Sequence, residues 1–241
     1  MTSTVLPCNN KLLNTLPESD FTAVMDQCRL VNLTAGEVIY ESSEYIESIH
    51  FPVNCIVSLM YETLDGKSSE IASIGNNGAV GSDLILSNSP TIHRALVVHD
   101  GWAYQMKRTA VLDQFNKAEL FKYQLLNYIQ NLTTQISFNA VCARFHKIEQ
   151  QFCKFLLLHN DWVPGKISFT QEAISHLLGV RRETITEIAS NLQKANIIDY
   201  KRGEIHILDR QALEVHSCEC YQAIKNTLHS EDENYVLDTC H

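Results

Sequence analysis

Apolar positions change their spacing repeatedly along the 241-residue chain, and each change predicts an element. Leu12, Leu13, Leu16, Phe21, Val24, Met25 and Cys28 recur at helical spacing, which predicts an amphipathic helix pair over 11–30 with Ser19 or Asp20 capping the second helix. From 29 to 107 the pattern turns to short β-rich runs: 29–33, 38–40, 48–52, 55–63, 69–74, 94–98 and 102–107. Turn signals separate them at Ala35-Gly36, Asp65-Gly66, Gly75-Asn76-Asn77-Gly78, 87–90 and Asp100-Gly101. Short strands with such turns predict a small antiparallel β-barrel or jelly roll. The helical period returns at about 109 and holds to about 160, with a break expected near 138–145. Inside it Phe121, Leu125, Tyr128, Leu132, Gln135, Asn139 and Cys142 repeat at four and three, the spacing of a two-helix seam. We expect this stripe to form a dimer interface between two copies of the chain, with Gln135 and Asn139 setting register. A long helix packed on its own barrel is the other way to bury it.

The stretch 168–207 carries the most specific pattern. Thr170 can cap a helix whose apolar face is Ala173, Ile174, Leu177 and Leu178, and Gly179 can end it in a left-handed conformation. A second helix follows from Arg181-Arg182-Glu183-Thr184, with Ile185, Ile188, Ala189 and Leu192 on its buried side. The runs 197–200 and 204–207 then alternate as two strands about Lys201-Arg202-Gly203. A short helix with exposed arginines at its start, braced by a preceding helix across a glycine turn, has the shape of a major-groove reader. A guanidinium fork matches guanine O6 and N7, and a carboxylate accepts from the cytosine amino group. Arg182 and Glu183 are therefore expected to read bases, Arg181 phosphate or base, and Lys201 and Arg202 at the tip of a β-wing phosphates. Upstream, 146–159 predicts an amphipathic helix and 166–169 a short strand; after Asp209 a final helix is expected to about 228.

Thr170-Gln171-Glu172, Leu178-Gly179-Val180, Arg182-Glu183-Thr184 and Leu192-Gln193 resemble the winged helix-turn-helix of the Crp/Fnr superfamily of transcription regulators. The resemblance implies that Thr170, Gln171, Arg181, Arg182, Glu183, Thr184, Lys201 and Arg202 contact DNA, and that Arg182 and Glu183 read a G·C-containing half-site. A further recognition-helix arginine of the family's best-known members is matched here by Glu187, so the half-site sequence need not be theirs. The front half resembles the cyclic-nucleotide-binding barrel of the same superfamily. The implied ligand-contacting residues are Gly81, Ser82, Asp83 and Arg94, with Thr133 on the long helix. Ser82 stands where ligand-binding members carry glutamate, and Ala95 where they carry serine or threonine, so cyclic AMP is not the expected ligand. Cys8 and Cys28 are the only cysteines in the first fifty residues, so no iron–sulfur cluster is expected.

The fold class expected is thus α+β: a sensor barrel over 1–108, a dimerisation helix over 109–143, a winged helix-turn-helix over 144–228 and an acidic mobile tail over 229–241. Net charge is −9, divided as −6 over 1–143, +1 over 144–225 and −4 over 226–241, so the acidity lies away from the reader. Few phosphates are neutralised per chain, and a dimer is needed for useful affinity. None of the 8 cysteines forms a CxxC pair, and no zinc-type Cys/His spacing occurs. Cys218 and Cys220 would diverge by about 200° on a continuous helix, so packing rather than metal binding is expected of them. No apolar run reaches the ~18 residues of a membrane span, and no secretory signal is read at the N-terminus, so a cytoplasmic protein is expected. No Ser/His/Asp order, P-loop or carboxylate pair is present, which excludes the common enzyme classes. The expected function is a homodimeric, sequence-specific transcription regulator on pseudo-palindromic double-stranded DNA, with RNA polymerase as a further partner and no membrane. The competing reading is a nucleotide- or small-anion-binding signalling module that does not touch DNA.

Overall fold

The computed structural model describes residues 9–229. Two short helices, α1 (Lys11–Asn14) and α2 (Glu18–Met25), open it. Asn10 is fully buried and satisfied: its carbonyl oxygen accepts from the Leu13 amide at 3.1 Å, capping α1, and its amide donates to the carbonyls of Pro52 and Gly78, each at 2.9 Å. The cap of α2 falls at Pro17 rather than at Ser19 or Asp20, which places Glu18 and Asp20 in the first turn where the helix dipole favours acid.

Seven strands follow: β1 (Cys28–Leu33), β2 (Val38–Tyr40), β3 (Ser48–Pro52), β4 (Ile56–Glu62), β5 (Ser68–Ile74), β6 (Arg94–His99) and β7 (Gly101–Lys107). They form two antiparallel sheets, β1-β7-β3 and β2-β6-β4-β5, in a jelly-roll arrangement, with one turn of 3-10 helix at Ser82–Ile85 before β6. In the four-stranded sheet Val57, Leu59, Ala72, Ile74, Ala95 and Val97 belong to the barrel core. Ile56, Met60, Leu96 and Val98 belong instead to a second core, so this sheet is covered on its outer face too. The unbroken burial of the first five residues of β4 is the result.

Helix α3 (Arg108–Lys117) is separated by the extended Ala118 from α4 (Glu119–Phe145). At 27 residues α4 is about 40 Å long and runs straight through the expected break at 138–145, a stretch without Gly or Pro; the chain bends at His146 and Lys147 instead. The stripe expected to form a dimer seam faces the chain's own barrel. Phe121, Leu125, Tyr128 and Leu132 are buried in the barrel core. Gln135 Nε2 donates to Ser73 O at 3.1 Å and Asn139 Nδ2 to Ile71 O at 3.0 Å. β5 is an edge strand, and these amides satisfy carbonyls that would otherwise be buried without partners. The polar seam positions therefore serve a sheet edge, not a coiled-coil register.

The rest of the described chain is α5 (Ile148–Trp162), β8 (Ile167–Ser168), α6 (Gln171–Leu178), α7 (Arg182–Lys194), β9 (Ile198–Lys201), β10 (Glu204–Ile207), α8 (Arg210–His216) and α9 (Cys220–His229). β8, β10 and β9 pair in that order as the wing sheet. The single final helix expected after Asp209 is in fact two, interrupted at 217–219. The expected acidic tail, beyond His229, lies outside the described residues. Among the described residues no helix is long and apolar enough to cross a membrane.

The second core joins this domain to the barrel. Ile56, Met60 and Val98 pack with Phe152, Leu156, Trp162, Ile174 and Ile188. The turn Gly75-Asn76-Asn77-Gly78 accepts an aromatic side chain at each end. A Cβ on Gly75 would lie 2.2 Å from Trp162 Cγ, and one on Gly78 2.7 Å from the Tyr128 ring. Neither glycine has a positive φ, so close approach rather than backbone freedom is what requires them.

Candidate nucleic-acid interface

Local chemistry builds the helix-turn-helix. Thr170 Oγ1 accepts from the Ala173 amide at 3.1 Å and starts α6. Gly179, at φ 65, ends it; the Val180 amide returns to Ser175 O at 2.9 Å, as a left-handed cap requires. Ile185, Ile188, Ala189 and Leu192 bury one side of α7. Its other side presents Arg182, Glu183, Thr186, Glu187 and Ser190, all exposed, with Arg181 exposed at the N-cap. No side chain caps α7; the Thr184 amide turns back to Arg181 O at 3.1 Å, and the exposed start of the helix presents its positive dipole end to solvent.

Gln171 behaves differently from the surface contact expected of it. Its Oε1 accepts from Thr186 Oγ1 at 2.6 Å and ties the start of α6 to the exposed side of α7. Thr184 is half-buried and Thr170 is engaged as a cap, though exposed. The wing has a two-residue loop, Arg202-Gly203, with φ of 53 and 83, the left-handed pair of a tight hairpin. Lys201 and Arg202 are exposed at its tip, and Lys201 Nζ pairs with Asp199 Oδ2 at 3.0 Å. Arg181, Arg182, Glu183, Lys201 and Arg202 are thus each exposed, the first three at the start of α7 and the last two on the wing.

The residues expected to bind a ligand do not converge. Arg94 lies on the same side of β6 as Leu96 and Val98, opposite Ala95 and Val97, because successive strand residues alternate faces. It lines a cleft of about 570 Å³ between the sheet and α6, together with Gly36, Met60, Phe169 and His176. Thr133 is exposed and donates to Ile129 O at 2.9 Å, one residue round the helix from buried Leu132. Asp83 instead lies 3.7 Å from His93 Nε2, and Gly81 takes a left-handed φ of 86 beside Ser48 O. Ser82 is buried with no partner for its hydroxyl. A cyclic phosphate held jointly by these groups has no place in this arrangement.

Two features important to the arrangement escaped sequence reading. The outward residues of β4 and β6 take part in docking the reader domain, for which the apolar run from Cys55 to Met60, interrupted only by Ser58, is the available signal. The docking glycine Gly75 looked like any turn residue. The reader's own turn also touches the barrel, since Ser69 Oγ donates to Leu177 O at 3.4 Å.

Residues 150–215 match the family described as the Crp-like helix-turn-helix domain. Among solved structures the chain is similar to FixK2 from Bradyrhizobium japonicum, with 18% identity, a TM-score of 0.68, and coverage of 79% of this chain and 98% of that one. A CRP-family transcriptional regulator from Thermus thermophilus gives 13% identity and a TM-score of 0.66 over 78% and 96% of the two chains. The c-di-GMP responsive global regulator CLP from Xanthomonas campestris gives 11% and 0.63 over 79% and 99%. Comparison with curated proteins gives no match.

Proposed function

We infer, from the premise that this chain is a DNA-binding transcription regulator of the Crp/Fnr type and not an enzyme, that it reads a pseudo-palindromic site as a homodimer through the start of α7. The observation that carries this reading is the pair Arg182 and Glu183, exposed on the first turn of a helix whose opposite face is buried and whose position Gln171 braces. Lys201 and Arg202 on the wing supply phosphate contacts. RNA polymerase is the further partner we propose, and the cytoplasm the compartment.

Because the buried stripe of α4 is used by the barrel, the dimer contact we propose lies on the other side of that helix. Tyr123, Leu126, Gln130, Thr133, Ser137, Ala140 and Arg144 are all exposed, and they follow at three and four, the heptad spacing. Half-buried Ile129 and Ile136 flank them. Binding two half-sites requires the two α7 helices of such a pair to stand one DNA turn apart, about 34–36 Å. Leu126→Glu combined with Ala140→Glu is expected to give a monomer by sedimentation velocity. An unchanged dimer would place the contact elsewhere.

The reader domain rests on the outer face of the four-stranded sheet, so a signal that reshapes the sheet also moves the reader, as in a two-state switch. The DNA assignment is tested with an operator selected in vitro from random duplexes. Arg182→Ala is expected to cost about 1–3 kcal/mol and to relax preference at one base position in each half-site, whereas Lys201→Ala weakens every sequence alike and lowers the salt slope by about 1. Equal loss on operator and random DNA from Arg182→Ala would mean that α7 does not read bases.

A further inference from the structure

Four metal-ligating side chains from distant parts of the chain meet where the long helix ends. Cys142 lies in the last turn of α4, and His146, four residues on, is the extended residue that caps its C-terminal end. Cys218 and Cys220 flank the start of α9, and the interruption at 217–219 turns both thiols the same way, which a continuous helix would prevent. The ligand atoms all lie within 4.8 Å of one another, and the three cysteines are buried.

The spacings are those of a single tetrahedral ion. With Zn–S of about 2.3 Å and Zn–N of about 2.0–2.1 Å, a regular tetrahedron has S···S edges of about 3.8 Å and S···N edges of about 3.6 Å. Cys142 Sγ lies 3.5 Å from Cys218 Sγ, and Cys220 Sγ lies 3.6 Å from His146 Nδ1. The other ring nitrogen, Nε2, lies 3.1 Å from Glu219 Oε1, as in the carboxylate–histidine–metal arrangement that orients a ligating imidazole. Gln151 Nε2 donates to His146 O at 3.0 Å and to Cys142 O at 3.3 Å, holding the two ligands of α4 in place. Three thiolates and one divalent ion leave one negative charge. The buried Lys154, whose ammonium donates to Asn139 Oδ1 at 2.7 Å, is near enough to act on all three sulfurs and oppose it.

We propose that Cys142, His146, Cys218 and Cys220 form a Cys3His zinc(II) site that fastens α9 to the end of α4. The site bridges the bend at His146 and Lys147, so its occupancy sets how firmly the reader domain is held on the dimer-forming helix. Binding releases the protons of the coordinating thiols and involves no redox step. A multi-iron cluster would need its ligands farther apart than a single ion does.

The test uses the full chain purified under reducing conditions without chelator. One zinc ion per chain is expected by plasma mass spectrometry. Chelator-stripped protein titrated with cobalt(II) should give the intense visible bands of a tetrahedral thiolate site, and zinc should abolish them. Cys220→Ser should lose that spectrum, while Cys55→Ala, which removes a buried thiol outside the cluster, should keep it. Glu219→Gln should retain the bands but lower metal affinity at least about 10-fold. Zinc removal should also raise amide exchange in α9. Reduced wild-type protein that yields no tetrahedral cobalt spectrum at a large excess of metal overturns the proposal, as does metal held equally by Cys220→Ser or a Cys142–Cys218 disulfide found in place of metal. The wild-type titration decides the matter even if a variant fails to fold.

Discussion

Gly75→Leu is expected to lift the reader domain off the barrel. Even the first added carbon would sit 2.2 Å from Trp162 Cγ and 2.6 Å from its Cβ, and neither atom is the far end of a flexible side chain. Gly75 has no positive φ, so the substitution carries no backbone penalty of its own and tests the contact alone. Overpacking of this kind costs about 1–3 kcal/mol when the structure yields locally. Here the yielding part is an interdomain contact, so the strain is relieved by separation. The readout is tryptophan emission: Trp162 is 5% exposed and Trp102, the other tryptophan, already 39%. A red shift from Trp162, with a larger radius of gyration in solution scattering, is the expected result. Unchanged emission and scattering would show that the contact does not hold the domains together.

Acid is expected to destabilise the protein well before its carboxylates titrate. His159 is enclosed by Phe155, Phe169 and Trp162. Its Nδ1 must carry the proton, since it faces the Phe155 carbonyl at 2.8 Å, and its buried Nε2 has no partner. A second proton would have no acceptor; burial first, and the neighbouring His99 second, bring the pKa down to about 3. His50 accepts at Nε2 from the Gln105 amide at 2.8 Å, and burial with the Arg29 charge lowers it to about 4. Both rings are neutral when folded and titrate near 6.5 when unfolded. The unfolded chain therefore binds protons first, and stability present above pH 6.5 is lost as pH falls towards these lowered values. At pH 5 the two histidines together account for a loss of about 4 kcal/mol relative to pH 7.5. Denaturant unfolding at the two pH values measures it, and His159→Phe should remove about half the difference. An equal loss in that variant would assign the acid sensitivity to other groups.

Much of the reader domain was legible because its determinants are local. Thr170 as a cap, Gly179 as a stop and the three-and-four repeat from Ile185 to Leu192 each act within a few residues, and the structure has them as expected. The strands of the barrel were equally plain, with β2 and β3 ending where the alternation does. What could not be read was which partner each buried face meets. The stripe from Phe121 to Asn139 announced one buried side of a helix, and periodicity does not say whether a second chain or a nearby sheet covers it. Gln135 and Asn139 suit either case until the edge strand β5 is known to need donors. Arg94 failed for a related reason: its place in a motif did not tell which face of β6 it occupies. Cys218 and Cys220 converge because the chain breaks at Ser217-Cys218-Glu219, where no glycine or proline announces it.

The apolar outer strip of the four-stranded sheet also bears on the solubility of the protein. Ile56, Met60 and Val98 are buried beneath the reader domain, and Leu96 is half-buried beside them. Whatever frees that domain, whether a signal, a substitution at Gly75 or acid, leaves a flat apolar sheet face open to other molecules. Surfaces of this kind drive self-association. The released conformer is therefore the aggregation-prone one, and the protein stays longest in solution when its domains remain closed.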